Sequence, residues 1–386
     1  MLGFSTYAAL LPELRDEWRL SNSEAGLIGG MFFAGYVATV SFWTVLPDRV
    51  DGRKVYLAGA LLGAIGSAGF GLFASGLFSA ILFQMLLGAG LAATYMPGLR
   101  LLSDRASGPA QSRYVAFYTS FFGIGAALSY AVAGFAAPAF GWQWTFIVSA
   151  AGPFAAGLLV LALLAPATAS NAGRLTFSLA TFFPLRAWRD VLGDRASAGY
   201  MLGYFVHCLE LFGSRAWMVA FLAFSAGFQS SGAFPWPAAA MAAVINLVAV
   251  PASIIGNEAA LRIGRRRWIL LMMVGSGASG LLVALGAPLH WALVLALLTV
   301  YSMLVMADSG TLTAGLVAAA PERLRGAAMG LYSLLGFAGG MLGPVLFGAA
   351  LDAAGGASSA GAWLAAYAAI GMGCLAAPVL TRIFSR

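Results

Sequence analysis

Apolar segments of about 20 residues or more recur along the whole chain, and short stretches between them hold most of the polar residues. An α-helix rises about 1.5 Å per residue, so a segment of this length crosses the roughly 30 Å hydrocarbon core of a bilayer. The pattern therefore predicts membrane-spanning helices at 24–46, 55–75, 77–103, 112–137, 142–165, 196–224, 235–260, 268–287, 291–319, 326–351 and 358–381.

The apolar stretch MLGFSTYAALL precedes these spans and covers only about half a bilayer as a helix. It has no basic region at its start, so we do not interpret it as a signal peptide. We expect it to be the end of a first span whose start lies upstream of Met1. The intact protein would then have twelve spans.

The longest polar interval divides the chain into two halves. It contains RLTFSLATFFPLRAWRDVL, in which aromatic residues alternate with arginines as in a helix lying on a membrane surface. We therefore predict an N-terminal six-helix bundle at 1–165, a cytoplasmic linker with an interfacial helix at 166–195, and a C-terminal six-helix bundle at 196–386. PDRVDGRKVYL in the first half has a counterpart in LRIGRRRWIL in the second, which indicates two halves related by pseudo-two-fold symmetry.

Composition and charge agree with a membrane location. Hydrophobic residues make up 61% of the 386 and charged residues only 9%, against about 25% charged in soluble domains. Of the 21 Lys and Arg, only Arg15 and Arg19 fall on one side of the predicted spans, and Arg100 and Arg215 lie within spans. Because cytoplasmic loops hold the excess of basic residues, we expect a multi-pass protein of the cytoplasmic (inner) membrane with a cytoplasmic C-terminus. The net charge of +7 therefore reflects topology and does not indicate a nucleic-acid partner.

A few ionisable residues lie inside the predicted spans, where a charge costs roughly 2.5–3.5 kcal/mol on insertion scales. His207 and Glu210 lie near the middle of span 196–224, on the side of the helix that also carries Tyr204. Asp308 lies in the middle of span 291–319 with no cation beside it in sequence, so it must pair across helices or be protonated. We interpret His207 with Glu210 as an interacting pair that handles protons or substrate. The alternative is a structural ion pair that fixes the span against a neighbour.

Two arginines within spans leave alternatives open. Arg215 could contact a substrate anion or make a structural pair, and Arg100 could contact substrate or pair locally with Asp104 one turn later. Cys208 and Cys374 both lie within apolar runs and are interpreted as small core residues. The sequence indicates no metal site and no cofactor.

The loop after the first full span carries a motif. A known motif written G-x-L-x-D-R-x-G-R-K appears here as TVLPDRVDGRK. Thr44 stands in place of the first glycine, and Asp51 is an additional residue. The residues that match in type are Asp48, Arg49, Gly52, Arg53 and Lys54. With the span pattern and the repeat, the chain resembles the major facilitator superfamily of secondary transporters. The resemblance implies an all-α fold of two six-helix bundles, a central cavity lined by spans 1, 4, 7 and 10, and a gating role for this loop. It also implies that Asp48 pairs with an arginine and a helix N-terminus.

We expect a monomeric secondary active transporter that moves a small organic solute by alternating access. Protons would be the coupling ion, with His207, Glu210 and Asp308 titrating. One rival is a uniporter or anion exchanger that uses Arg215 and Arg100. Drug efflux is a weaker rival, because its glycine-proline motif is missing from the fifth span. A membrane sensor or scaffold would bring a soluble domain, and an intramembrane enzyme would need a catalytic cluster; the sequence shows neither.

Overall fold

The structure is a computed structural model that describes residues 1–105, 109–166, 183–229 and 234–378, without the side chains of 103, 109–117, 119 and 120. The described residues form α-helices joined by short turns and two single 3-10 turns. The helices are α1 (Thr6–Glu17), α2 (Asn22–Val45), α3 (Gly52–Phe73), α4 (Leu77–Ser103), α5 (Pro109–Leu163), α6 (Leu185–Gly193), α7 (Arg195–Ala226), α8 (Ala238–Ile263), α9 (Arg265–Leu285), α10 (Trp291–Ala307), α11 (Ser309–Ala319), α12 (Arg325–Ala353) and α13 (Ala360–Leu375).

The predicted spans are confirmed as helices. Over the described ranges, nine helical segments are long and apolar enough to cross a membrane, and α13 is a shorter apolar helix. The long helix α5 contains two predicted spans, because Gly141 has a positive φ of 81° that interrupts it between them. The short apolar stretch at the start of the chain forms α1.

The predicted span at 291–319 is confirmed as one apolar segment, Trp291–Ala319, but it contains an interruption that the sequence did not predict. The helix breaks at Asp308, where α10 ends and α11 begins. Trp268 Nε1 of α9 donates to the Ala307 carbonyl oxygen at 2.8 Å. Gly256 of α8 lacks a Cβ, which would overlap that same oxygen. Two neighbouring helices therefore hold the break in place.

The chain divides by its contacts into two compact units. Unit 1 comprises Met1–Tyr7 and Met31–Pro184, and unit 2 comprises Ala8–Gly30 and Leu185–Arg386. Most of α1 and the first residues of α2 thus group with the C-terminal residues. The domain boundaries given by the sequence, 1–165, 166–195 and 196–386, stay a prediction. Residues 167–182 of the expected linker and 379–386 of the C-terminus lie outside the described residues.

Unit 1 packs its helices through small residues and stacked aromatic rings. Gly59 of α3 faces Ala93 of α4, where any added Cβ would overlap the alanine side chain. Phe70 of α3 stacks on Phe146 of α5 with ring centroids 4.0 Å apart. In a bilayer, lipid tails are as apolar as the side chains, so helices associate through close packing of this kind.

Unit 2 is arranged around α7 and α12. Gly339 and Gly343 of α12 face the carbonyl oxygens of Phe205 and Leu209 on α7, and a Cβ at either glycine would overlap them. Farther along α7, Trp217 Nε1 donates to the Pro344 carbonyl oxygen at 3.0 Å. This close approach encloses α7: 89% of its apolar stretch is buried, the highest share among the spans that the structure describes.

Large apolar side chains cover much of the outer surface. Phe78, Phe135 and Leu163 are 84%, 70% and 76% exposed. A soluble monomer rarely exposes extended apolar patches, whereas lipid tails solvate such a surface. The chain is accordingly a multi-pass integral membrane protein.

The helix α6 lies in the predicted linker. Its Val191 is buried against residues of unit 2 and Trp188 packs against the same cluster, whereas Arg186 and Arg189 are exposed. This division of faces is typical of a helix at a membrane surface. Its interfacial position stays a prediction.

The close approach of α2 and α4 generates a test of packing. A Cβ on Gly88 would overlap the Phe32 carbonyl oxygen, whereas a Cβ on Gly330 of α12 meets nothing within 4 Å. We expect Gly88→Ala to lower the free energy of unfolding by about 1–3 kcal/mol, because backbone must move to admit the methyl group. Gly330→Ala is the matched control and should be neutral or stabilising by up to about 1 kcal/mol. Denaturant unfolding in detergent measures both; equal effects would contradict the packing.

Candidate functional site

The candidate site is built on α7. Asp194 caps this helix by accepting a hydrogen bond from the Ser197 backbone N–H at 2.8 Å. Within the helix, His207 is 2% exposed and Glu210 1%. The sequence places them on one face, and that face is covered by neighbouring helices of unit 2.

His207 meets Asp308 at the break between α10 and α11. His207 Nδ1 lies 2.8 Å from Asp308 Oδ1, and the two side chains are 2% and 3% exposed. An ion pair between His207 and Glu210 is not formed, because the imidazole takes its acidic partner, Asp308, from another part of the chain. That His207 and Glu210 handle protons or substrate stays a prediction. The requirement that Asp308 pair across helices or be protonated is met by this contact.

Glu210 has partners of a different kind. Its Oε2 accepts a hydrogen bond from the Ser276 hydroxyl of α9 at 2.7 Å, and the Cys374 thiol of α13 is a further hydrogen-bonding neighbour. Both of these groups are uncharged. Two buried acids therefore lie close to one histidine, one paired with the imidazole and one held by neutral groups.

Aromatic rings extend the site along α7. The Tyr204 ring stacks parallel to the His207 ring with centroids 5.7 Å apart, and on Tyr332 of α12 with centroids 3.8 Å apart. The Tyr332 hydroxyl lies 3.0 Å from Thr313 Oγ1 of α11. The stack fixes the plane of the imidazole, so that the direction of its nitrogens is set by packing.

Arg215 lies two turns farther along α7. It is 8% exposed, and its Nη2 lies 3.4 Å from the sulfur of Met306, two residues before Asp308. The choice between anion contact and structural pairing for this arginine stays a prediction.

The motif loop forms a second cluster in unit 1. Arg100 Nη2 of α4 lies 2.7 Å from Asp48 Oδ1, and Arg100 Nε lies 3.5 Å from Asp104 Oδ2. All three side chains are partly exposed. The sequence left substrate contact and local pairing open for Arg100. In the structure Arg100 forms an ion pair with Asp48, which belongs to the loop that carries the motif.

The additional residue Asp51 takes the helix-capping position. Its carboxylate accepts from the Arg53 backbone N–H at 3.0 Å at the start of α3, and pairs with Arg53 Nη2 at 2.7 Å. These hydrogen bonds and the charge of Arg53 lower the pKa of Asp51. Asp48 therefore has the arginine that the resemblance implies, while Asp51 caps the helix.

The remaining motif residues have separate positions. Arg53 also donates to the Leu164 carbonyl oxygen at the end of α5 at 2.7 Å. Gly52 packs against Leu101, whose Cδ2 would lie 2.8 Å from an added Cβ. Lys54 is exposed and Arg49 is half-buried. A gating role for these residues stays a prediction.

Three residues near the site were not predicted from sequence: Ser276, Trp268 and Tyr332. Ser276 lies in GSGASG, a stretch of small residues that carries no distinctive signal. Trp268 and Tyr332 resemble ordinary aromatic residues of a span. Over the residues that the structure describes, no group of three or more His, Cys, Asp or Glu could hold a metal ion.

Comparison with known proteins gives one family. The model of the Major Facilitator Superfamily matches residues 1–344. The chain is 27% identical over 145 residues to the putative niacin/nicotinamide transporter NiaP of Bacillus subtilis (strain 168), which covers 38% of this chain and 36% of that protein. It is 25% identical over 155 residues to the 4-hydroxybenzoate transporter PcaK of Acinetobacter baylyi (strain ATCC 33305 / BD413 / ADP1), which covers 40% of this chain and 34% of that protein. The matches thus span about a third of the length of these curated relatives.

The fold also resembles solved structures. One is the crystal structure of a bacterial homologue of the human lysosomal transporter Spinster, in an inward-facing and unoccupied conformation. Its TM-score is 0.72 at 16% identity, covering 99% of this chain and 92% of that chain. At this identity the likeness concerns the fold alone.

The contact between His207 and Asp308 generates a prediction about coupling. We expect a double-mutant cycle of His207→Gln and Asp308→Asn to show non-additive losses of stability, with an interaction free energy of about 0.5–3 kcal/mol. Each single variant leaves the other buried group without its partner. The control cycle combines Asp308→Asn with Glu322→Gln, because Glu322 is an exposed acid outside the buried cluster. Additive losses in the first cycle, measured by unfolding in detergent, would contradict the pairing.

Proposed function

The chain belongs to the major facilitator superfamily, and from that premise we propose that it is a secondary active transporter. It moves a small organic solute by alternating access, with protons as the coupling ion. Family membership also decides against the intramembrane enzyme. The observation that carries the proposal is the buried cluster of His207, Asp308 and Glu210 on and around α7.

Proton coupling needs a buried group that is stable in two protonation states. The 2.8 Å contact between His207 Nδ1 and Asp308 Oδ1 supports this, because an imidazole and a carboxyl group at this distance can interact either as an ion pair or as two neutral groups. Glu210 supports it differently. Its partners, Ser276 and Cys374, are neutral, so a protonated carboxyl group suits the site as this structure has it. When the site opens to water, hydration stabilises the charged form and the proton leaves.

Alternating access needs a seam that opens and closes, and the start of α2 supplies one. Asp352 of α12 accepts hydrogen bonds from Asn22 Nδ2 at 2.7 Å, from the Ser23 backbone N–H at 2.7 Å and from the Ser23 hydroxyl at 2.6 Å. Next to this contact, Gly26 of α2 packs against the Pro344 backbone of α12. We assign this seam, at the end of α12 remote from Arg325, to a gate of the transport cycle.

The motif loop supports a gate at the arginine-rich end. Asp48 and Arg100 are partly exposed and paired, so water and a moving partner both reach them. The pairing with Asp48 favours gating over substrate contact for Arg100. The arginine-rich end would face the cytoplasm, with the protein in the inner membrane.

The substrate class is suggested by the relatives. Their names give niacin or nicotinamide and 4-hydroxybenzoate, which are small aromatic compounds. Aromatic monocarboxylates are therefore the first class to test. The rival is a uniporter or anion exchanger that uses the buried Arg215.

The proton-coupling proposal is tested by Glu210→Gln. With the protein in liposomes and aromatic carboxylates as substrates, we expect uptake driven by a proton gradient to fall about tenfold or more, because glutamine cannot release a proton. Substrate exchange across the membrane without a gradient should be largely retained. Glu258→Gln is the matched control, since Glu258 is an exposed acid on the spanning helix α8. Unchanged proton dependence in Glu210→Gln would refute the role.

The gate is tested by Asp352→Ala in a variant that also carries Ala25→Cys. Ala25 is fully buried beside the seam, and the native Cys208 and Cys374 are buried elsewhere. Loss of the hydrogen bonds to Asn22 and Ser23 should raise the rate of maleimide labelling about tenfold, equivalent to about 1.4 kcal/mol in the gate equilibrium. Glu322→Ala, an exposed acid before α12, is the control. Equal labelling rates in all variants would show that the seam does not open through Asp352.

A further inference from the structure

A cavity lies within unit 2 on the arginine-rich side of the buried cluster. It has a volume of about 220 Å³ and lies between α7, α9, α11 and α13. Its lining begins at two exposed arginines, Arg195 at the start of α7 and Arg266 at the start of α9. It ends on buried apolar side chains, chiefly Val206, Met273 and Leu312. The cavity is therefore basic at its opening and apolar at its inner end.

The dimensions and lining limit what could occupy it. Pockets for drug-sized ligands measure roughly 300–1,000 Å³, so this cavity has room for a small molecule or for one end of a larger one such as a lipid. An apolar chain fits the inner wall, where Val206, Ile269 and Met273 offer no polar group. The arginines at the opening fit a phosphate or carboxylate, because the guanidinium group binds such anions through paired N–H donors.

The surroundings add positive charge in the same place. Arg186 and Arg189 are exposed on α6, the helix that ends two residues before Arg195. Arg262 and Arg267 are exposed beside Arg266. Of the acids near these arginines, Asp194 is engaged in capping α7, and Asp190 is exposed on α6 beside Arg189. Basic pockets between spanning helices on the cytoplasmic side are typical binding sites for anionic lipid headgroups.

We propose that this cavity binds an anionic membrane phospholipid, with its phosphate between Arg195 and Arg266 and the start of one acyl chain against Val206, Met273 and Leu312. The site is distinct from the His207 cluster and does not depend on the direction or coupling of transport. The lipid would hold the ends of α7 and α9 together at the membrane surface.

The test uses the full chain in detergent, with phosphatidylglycerol as the probe and native mass spectrometry to count bound lipid. We expect Arg195→Gln and Arg266→Gln each to weaken phosphatidylglycerol binding about fivefold, and together more strongly. The control pair, Arg262→Gln with Arg267→Gln, removes the same charge from exposed arginines outside the cavity and should have a smaller effect. Ala196→Trp, which fills the opening at an exposed position, should also weaken binding.

Three results would overturn the proposal. Phosphatidylcholine could bind as tightly as phosphatidylglycerol, which would remove the role of the arginines. The control pair could weaken binding as much as the cavity pair, which would indicate general surface charge. Inorganic phosphate could compete with phosphatidylglycerol at equal concentration, which would indicate an anion site without a lipid chain. Thermal unfolding of each variant checks that the binding loss does not come from loss of folding.

Discussion

The burial of three ionisable side chains on one membrane helix is the constraint on which the rest of unit 2 depends. A buried charge without a partner costs several kcal/mol, and lipid tails supply no partner. His207, Glu210 and Arg215 are all less than 10% exposed, so α7 has to be enclosed by protein. The surrounding helices therefore bring polar groups to α7: Asp308 from the break after α10 and Ser276 from α9.

Enclosing α7 in this way sets requirements on its neighbours. Backbones can approach closely only where side chains are small, and Gly339 and Gly343 of α12 meet α7 at such positions. The break at Asp308 frees the Ala307 carbonyl from regular helix bonding, and Trp268 satisfies it. The glycines of α12 and the tryptophan of α9, which look like ordinary packing residues in sequence, thereby support the polar cluster at a distance.

The sequence predicted the elements of this fold better than it predicted the partners. Span positions follow from apolar length, which a bilayer enforces directly, and the burial of His207 and Glu210 follows from their place within a span. Residues three apart on a helix share a face, and this favoured a His207–Glu210 pair. Which groups meet that face depends on the rotation and breaks of neighbouring helices. The break at Asp308 has no proline or glycine at that residue to signal it, so the true partner could be found only in three dimensions. Asp51 is similar: its addition to the motif was visible, but its capping of α3 was not.

The chemistry of the α2–α12 seam differs from that of the cores in a way that suits a gate. The interior of unit 2 near Trp217 is built from large rings, such as Trp217 stacked on Phe347 and Trp363 against Phe221. Separating such rings would expose a large apolar area and lose stacking. The seam instead uses hydrogen bonds from Asn22 and Ser23 to one carboxylate, together with glycine contacts, and water can replace those hydrogen bonds when the helices part. An equilibrium between two conformations requires that they differ by only a few kcal/mol. The seam meets that requirement, because water can replace its hydrogen bonds when the helices part. The aromatic core near Trp217 is instead suited to stay packed in both conformations.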